Sequence, residues 1–251
     1  MIIDDLIVLG RACPDRIHNG RETVCAAGYS EKHGFVRIYP TKSDSPMKRW
    51  NIVKVSVERN RMDTREESWK IEGSRSEWYK LSEKIEVVGE LKPKQRLNFV
   101  TGLVDGCVRQ INAQKRSLGI VKPRIEKYYF GKRKHPQKGE QLDLWGRKLR
   151  KTKKDYILQP RITYKCVGPC DSSHNQQLLE WGVYEWMRKN PGKEDQVWKN
   201  LQLFSDKHQI YFFVGNQVLR RNAFRVISVL PLKRRSVSSP LFPFKKFIRR
   251  E

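Results

Sequence analysis

The chain has 251 residues with 52 Lys+Arg against 27 Asp+Glu, a formal charge of +25 and an isoelectric point near 10.1. Its 38% hydrophobic content, with Trp 7, Tyr 9 and Phe 10, excludes a wholly disordered chain, and no stretch reaches the roughly 20 apolar residues of a membrane-spanning helix. The opening segment carries Asp4 and Asp5 where an export signal needs a basic start, so a cytoplasmic location is expected, and the surplus of cations predicts a polyanionic partner, with nucleic acid ahead of a membrane surface.

The first third reads as β-rich. Ile2 to Leu9 is an apolar strand split by Asp4 and Asp5, Thr23 to Ala27 a second strand, Gly34 to Tyr39 a third and Ile52 to Val57 a strictly alternating fourth. Glu31 to Gly34 has the composition of a hairpin turn between the second and third. From Ser76 to Gln114 the apolar spacing turns helical: Trp78, Leu81 and Ile85 recur at helical intervals, and Leu103, Val104, Cys107, Val108 and Ile111 form a stripe ended by Gly119 and Pro123. Ile120 to Phe130 then reads as a strand. The segment 132–154 holds ten Lys/Arg and only Glu140 and Asp143 as acids, the composition of a linker or loop. Tyr156 to Tyr164 predicts another strand, Asn175 to Lys189 a helix, about Glu194 to Phe204 a second helix, and Gln209 to Val214 and Ala223 to Leu230 two strands joined through Gly215 and Asn216. A tail from Lys233 to Glu251 is again basic.

Five cysteines, an odd number in a chain without an export signal, make a disulfide framework a poor reading and leave reduced thiols or a metal site. Cys166, Cys170 and His174 follow one another at intervals of three intervening residues across a turn that contains Gly168 and Pro169. Thiolate and imidazole are the ligands that tetrahedral zinc prefers, so these three are candidates for a structural zinc, with a fourth ligand from Cys107, His135 or His208. The competing reading makes them small core residues beside a helix start.

Lys132, Arg133 and Lys134, then Arg147, Lys148, Arg150, Lys151, Lys153 and Lys154, flank Trp145, so cations surround a ring able to stack on a base. Phosphate neutralisation needs no fixed geometry, which suits a basic loop; the competing reading is a solvated charged loop. Arg37 and Tyr39 alternate with Val36 and Ile38, which predicts a strand face presenting a cation beside an aromatic ring. Arg220 and Arg221 add cations beside the closing strands. Glu86, Glu90 and Lys92 have the residue types of a metal-dependent nuclease, without the preceding strand, turn and acid that such a site needs; solvated charge is the better reading.

Gly20-Arg21-Glu22-Thr23-Val24-Cys25-Ala26-Ala27-Gly28, followed by Gly34 to Pro40, resembles the start of the dual OB-containing domain family of prokaryotes. Tyr164, Cys166, Cys170, His174, Glu180 and Trp181 are similar to its cysteine, cysteine, histidine and acid-tryptophan pattern, and Tyr211 to Asn216 with Arg221 to Phe224 to its closing strands. The resemblance spans about residues 1 to 232. It implies two OB-like barrels in a protein associated with bacterial mobile-element or defence loci, with a nucleic-acid-binding role and no catalytic set. Arg37-Ile38-Tyr39-Pro40 stands where the family more often has Trp-x-Arg-Pro, and the basic insert at 132–154 is outside its motif.

The expectation is therefore a β-rich α+β chain of two OB-like small barrels with inserted helices and a basic loop. Residues 1–131 form an N-terminal module, 132–154 the basic loop or linker, 155–232 a C-terminal module and 233–251 a basic tail. Its expected role is that of an accessory binding protein that holds DNA or RNA, working as a subunit of a larger protein or ribonucleoprotein complex. The alternative is a metal-dependent nuclease or other nucleic-acid-processing enzyme.

Overall fold

The computed structural model describes residues 1–17, 21–74, 76–133, 152, 155–168 and 170–234. Its first half is a closed barrel. Strands β1 (Ile2–Arg11), β3 (Glu22–Ser30), β4 (Gly34–Thr41), β6 (Ser68–Ile71) and β5 (Asn51–Arg59) follow in that order around it, and β5 returns to pair with β1. The β4–β6 pairing is parallel and the others are antiparallel. The short β2 (Asp15–Arg16) adds to β3, and β7 (Ile85–Glu90) adds to β5.

Alternation along β1 explains why the barrel has two apolar surfaces. Ile3, Leu6 and Val8 join Val36, Ile38, Val53, Val55 and Val57 in one core, while Ile7 and Leu9 point outward into a second core shared with the rest of the chain. The two acids that interrupt the apolar run have a local role: β1 slips register between Ile3 and Leu6, and the buried Asp5 carboxylate accepts from Ser30 Oγ at 2.6 Å and from the Glu31 amide at 2.9 Å. Asp5 thereby fixes the β3–β4 turn, where Gly34 takes the left-handed φ of 69°. Where β3 crosses β1, Gly28 lies so close that a side chain would meet the Ile7 carbonyl.

The second half builds a four-stranded sheet from β14 (Arg220–Lys233), β13 (His208–Gln217), β9 (Leu118–Val121) and β8 (Val104–Asp105), and a three-stranded antiparallel sheet from β10 (Pro123–Lys132), β11 (Leu158–Cys166) and β12 (Ser173–Gln177). Helices α1 (Pro93–Thr101), α2 (Val108–Ala113), α3 (Trp181–Lys189) and α4 (Gln196–Asn200) pack around them. Both faces of the four-stranded sheet are covered: Tyr211 and Phe213 of β13 face the barrel and α1, whereas Phe212 and Val214 face the three-stranded sheet and the remaining helices. This explains why Tyr211 to Val214 reads as an unbroken apolar run rather than as an alternating strand.

Polar groups also join the halves. Arg37 is only 2% exposed; its Nη1 donates to Ser117 Oγ at 2.8 Å and its Nη2 to the Ser117 carbonyl at 3.2 Å, while Glu67 accepts from the Ser117 amide and hydroxyl at 2.7 and 2.9 Å. Beside it the buried Arg65 donates Nε to Asp63 Oδ1 at 2.8 Å and Nη1 to the Asn216 carbonyl at 2.7 Å. Arg49 donates to Glu180 Oε1, Ser228 Oγ and the Val229 carbonyl.

The expected helical zones each hold a helix, but a shorter one than the apolar spacing predicts. Trp78, Leu81 and Ile85 do share one core, but through a single turn of 3-10 helix at Trp78–Lys80 and then β7, because the barrel interior accepts apolar residues from any backbone that points them inward. The stripe from Leu103 to Ile111 divides into β8 and α2, and Ile120 to Phe130 into β9 and β10. The N-terminal part of the expected 175–189 helix is β12, with α3 beginning only at Trp181. Strands β9 and β10, counted by sequence within the first module, pair with strands of the second, and β8 joins the same sheet through β9.

Two measurements check this packing. Phe213 is fully buried and stacks on Phe35 with centroids 6.0 Å apart, so Phe213→Ala should lower unfolding free energy by about 3–5 kcal/mol in urea titration. For Asp63, burial alone would raise the carboxyl, but hydrogen bonds and charge from Arg65, with Ser68, hold it at about 2, below its ordinary 3.8. Such a depressed group stabilises the fold fully above its ordinary value and loses that contribution as pH falls toward 2. Stability of the wild type should therefore decline through that acid window, on the order of 2 kcal/mol from this group, and Asp63→Asn should flatten the decline while lowering stability at neutral pH.

Candidate nucleic-acid interface

The three-stranded sheet turns one face inward and one outward. Along β11, Pro160, Ile162, Tyr164 and Cys166 are buried, while Gln159, Arg161, Thr163 and Lys165 are half-exposed on the other side. Register places Arg161 between Tyr129 and Gln177, Thr163 between Lys127 and Asn175, and Lys165 between Arg124 and Ser173. One outward face thus gathers cations, an aromatic ring and amides.

Asn175 organises its centre. Its Oδ1 accepts from Arg161 Nε at 2.9 Å, its carbonyl accepts from Arg161 Nη2 at 3.0 Å, and its Nδ2 donates to Tyr129 Oη at 2.9 Å. The Tyr129 hydroxyl is held below its ordinary value first by the Asn175 hydrogen bond; burial opposes this, and Arg161 and Lys127 add to the lowering. Lys127 Nζ sits 5.2 Å from the centre of the Tyr129 ring.

Arg225, from the neighbouring β14, donates Nη1 to Gln177 Oε1 at 2.6 Å. Burial lowers the Arg225 pKa most, and the positive charges of Arg161, Arg133 and Arg220 lower it further, against a small raising effect from Tyr184. With its amide oxygen turned toward Arg133, Gln159 accepts from Nε and Nη2 at 3.0 and 2.6 Å. Arg161 and Arg225 are thus held by amide groups, with no carboxylate within salt-bridge distance among the described residues. On this face the acid Glu126 accepts from Ser173 and lies 3.8 Å from Lys165. An amide orients a guanidinium without cancelling its charge, so no described carboxylate neutralises Arg161 or Arg225.

The sequence-derived residues divide into three groups. Arg133 and Arg220 belong to this cluster, and Lys132 is exposed at the end of β10, where the chain leaves for the basic segment before returning at Leu158. Lys134, Trp145, Arg147, Lys148, Arg150, Lys151, Lys153 and Lys154 lie outside the described residues, as does the tail beyond Arg234.

Arg37 and Tyr39 are corrected. Arg37 is buried against Ser117 because the second half covers that strand, and Tyr39 is half-buried with its hydroxyl 3.1 Å from Thr23 Oγ1 and its pKa raised chiefly by burial. Arg221 is exposed but reaches across to Thr64 Oγ1. Glu86 and Glu90 each face their own cation, Lys54 at 3.4 Å and Arg96 at 2.6 Å, and Lys92 caps α1; the three do not form a joint site. Arg161, Arg225, Lys127 and Tyr129 escaped the sequence reading. The alternation of β11 could have pointed to Arg161, whereas nothing local announces the approach of Arg225.

The proposed zinc ligands also come together in part. Cys166 ends β11, His174 lies opposite Tyr164 on β12, and Cys170 Sγ is 3.6 Å from His174 Nε2. Burial raises the Cys166 thiol to about 11, opposed by a hydrogen bond from the Val108 amide and reinforced by the neighbouring Cys107 and Cys170 thiols. Burial, then Arg109, holds His174 below its ordinary value. Among the described residues, no three His, Cys, Asp or Glu groups already converge as a metal site. His208 stands 2.9 Å from the Ser205 hydroxyl through Nδ1, and His135 is outside the described residues.

Among the described residues no helix is long and apolar enough to cross a membrane. No curated protein and no solved structure matches the chain. Two family models do match: a domain of unknown function, DUF8758, over residues 3–101, and a second, DUF8757, over residues 101–243. The division falls at the end of α1, where the barrel half gives way to the strands of the four-stranded sheet. The second match spans more than half of the chain, which therefore belongs to the family of the domain of unknown function DUF8757.

Proposed function

We propose that this protein binds single-stranded nucleic acid as an accessory subunit, using the outward face of the three-stranded sheet. The observation that carries this reading is the cluster of Arg133, Arg161, Arg220 and Arg225 beside Tyr129, in which Arg161 and Arg225 are oriented by amides. A phosphate backbone supplies negative charge to Arg161 and Arg225, and the Tyr129 ring offers a stacking surface to a base. In the sequence Arg133 leads directly into the basic segment, which adds to the chain's surplus of positive charge. The closed barrel is read as OB-like, one half of a paired arrangement in which the second half supplies the binding face.

Fluorescence anisotropy with labelled single-stranded DNA and RNA, repeated across salt concentrations, tests this. The double variant Arg161→Gln, Arg225→Gln should bind more weakly and reduce the slope of log affinity against log salt by about 0.7 for each phosphate that is no longer neutralised. Tyr129→Ala should cost about 1–3 kcal/mol for single strands and leave that slope nearly unchanged. Unaltered affinity and slope in the folded double variant would remove this face from the interface. Oligonucleotides should remain intact with Mg2+ or Mn2+; cleavage that survives repurification would shift the reading to a nuclease.

A further inference from the structure

We infer that Cys107, Cys166, Cys170 and His174 form a structural zinc site that ties the β11–β12 hairpin to the start of α2. This inference is independent of the nucleic-acid reading, since it concerns the buried side of the sheet.

The first observation is a distance. Cys170 Sγ and His174 Nε2 are 3.6 Å apart. Zinc bonds of about 2.3 Å to sulfur and about 2.0–2.1 Å to nitrogen, opened to a tetrahedral angle, place those two atoms about 3.6 Å apart. The pair, which makes a direct hydrogen bond here, thus also stands at the separation of two ligands of one ion.

The second observation is the convergence of two backbone segments. Gly168, in the turn from Cys166 to Cys170, packs so tightly on Gly106 that any side chain there would run into the Gly106 carbonyl. This brings the turn against Cys107, the residue that begins α2. Cys107, Cys166 and Cys170 are 6%, 4% and 7% exposed and lie in the same core. Of the described residues that sequence offered as a fourth ligand, Cys107 and His208, Cys107 is the one placed beside the others.

The third observation concerns the sulfurs themselves. The Gln110 amide donates to Cys107 Sγ at 3.4 Å. Backbone N–H groups aimed at sulfur stabilise a thiolate and orient it, which is the support that metal-bound cysteines require. Coordination requires the Cys107 and Cys166 sulfurs to close on the Cys170–His174 pair by local adjustment, since three donors do not yet surround one point. On binding, each thiol gives its proton to solvent as its sulfur–zinc bond forms, and His174 coordinates through neutral Nε2 with its proton on Nδ1.

The test uses the full chain, expressed with zinc and purified without chelator. Elemental analysis should find about one zinc per chain. Cys107→Ser, Cys170→Ser and His174→Gln should each retain at least tenfold less metal, and chelation should lower the wild-type Tm. Because a cysteine variant can fail to fold, cobalt(II) exchanged into the wild type supplies a second reading: visible ligand-field bands of a tetrahedral shell with sulfur-to-cobalt charge transfer. A chain that binds neither metal, a cobalt spectrum lacking those bands, or Cys107→Ser retaining wild-type zinc would each overturn the four-ligand site.

Discussion

The double-sided burial of β13 is the constraint on which the rest of this structure depends. Tyr211 and Phe213 lie against the barrel and α1, while Phe212 and Val214 lie against the second core. A strand covered on both faces cannot shift register without exposing or colliding large side chains, so it sets the positions of both halves. Gly215, immediately beyond, leaves room for the interface: a side chain there would stand 2.6 Å from Ile227, 3.0 Å from Leu118 and 3.1 Å from Arg37.

The outward basic face inherits its geometry from that sheet. Arg225 reaches Gln177 because β14 is held beside β13 and because the bridge between Leu178 and Val226 links it to the end of β12. Two arginines of the chain show how context separates structure from recognition. Arg37 is enclosed, and Ser117, itself held by Glu67, satisfies its donors, so its charge is spent on joining the two halves. Arg161 has amide partners and remains half-exposed, so its charge stays available.

The inner side of the same sheet carries a different chemistry. Alternation along β11 sends Arg161 and Lys165 outward and Ile162, Tyr164 and Cys166 inward, so one nine-residue strand contributes both to the basic face and to the thiol cluster. Fixing the inner side therefore also fixes the spacing of the outer residues. Asn175 and His174, adjacent on β12, repeat this division: the first organises Arg161 and Tyr129, and the second faces Cys170.

Local sequence determined four of the five strands of the barrel, all but β6, the hairpin turn at Gly34, the paired closing strands and the excess of positive charge, because alternation, turn chemistry and net charge are properties of neighbouring residues. It also singled out Cys166, Cys170 and His174 by spacing alone. Apolar periodicity misled between Trp78 and Ile85, where residues at helical intervals enter a common core from a turn and a strand, while α1 and α2 lie further along the same zone. Only the tertiary structure decided that Arg37 is enclosed, that Arg225 joins Arg161, and that Cys107 lies beside the cysteine turn. These outcomes depend on packing between segments far apart in the chain, and that packing is set by which faces the folded sheets bury against one another.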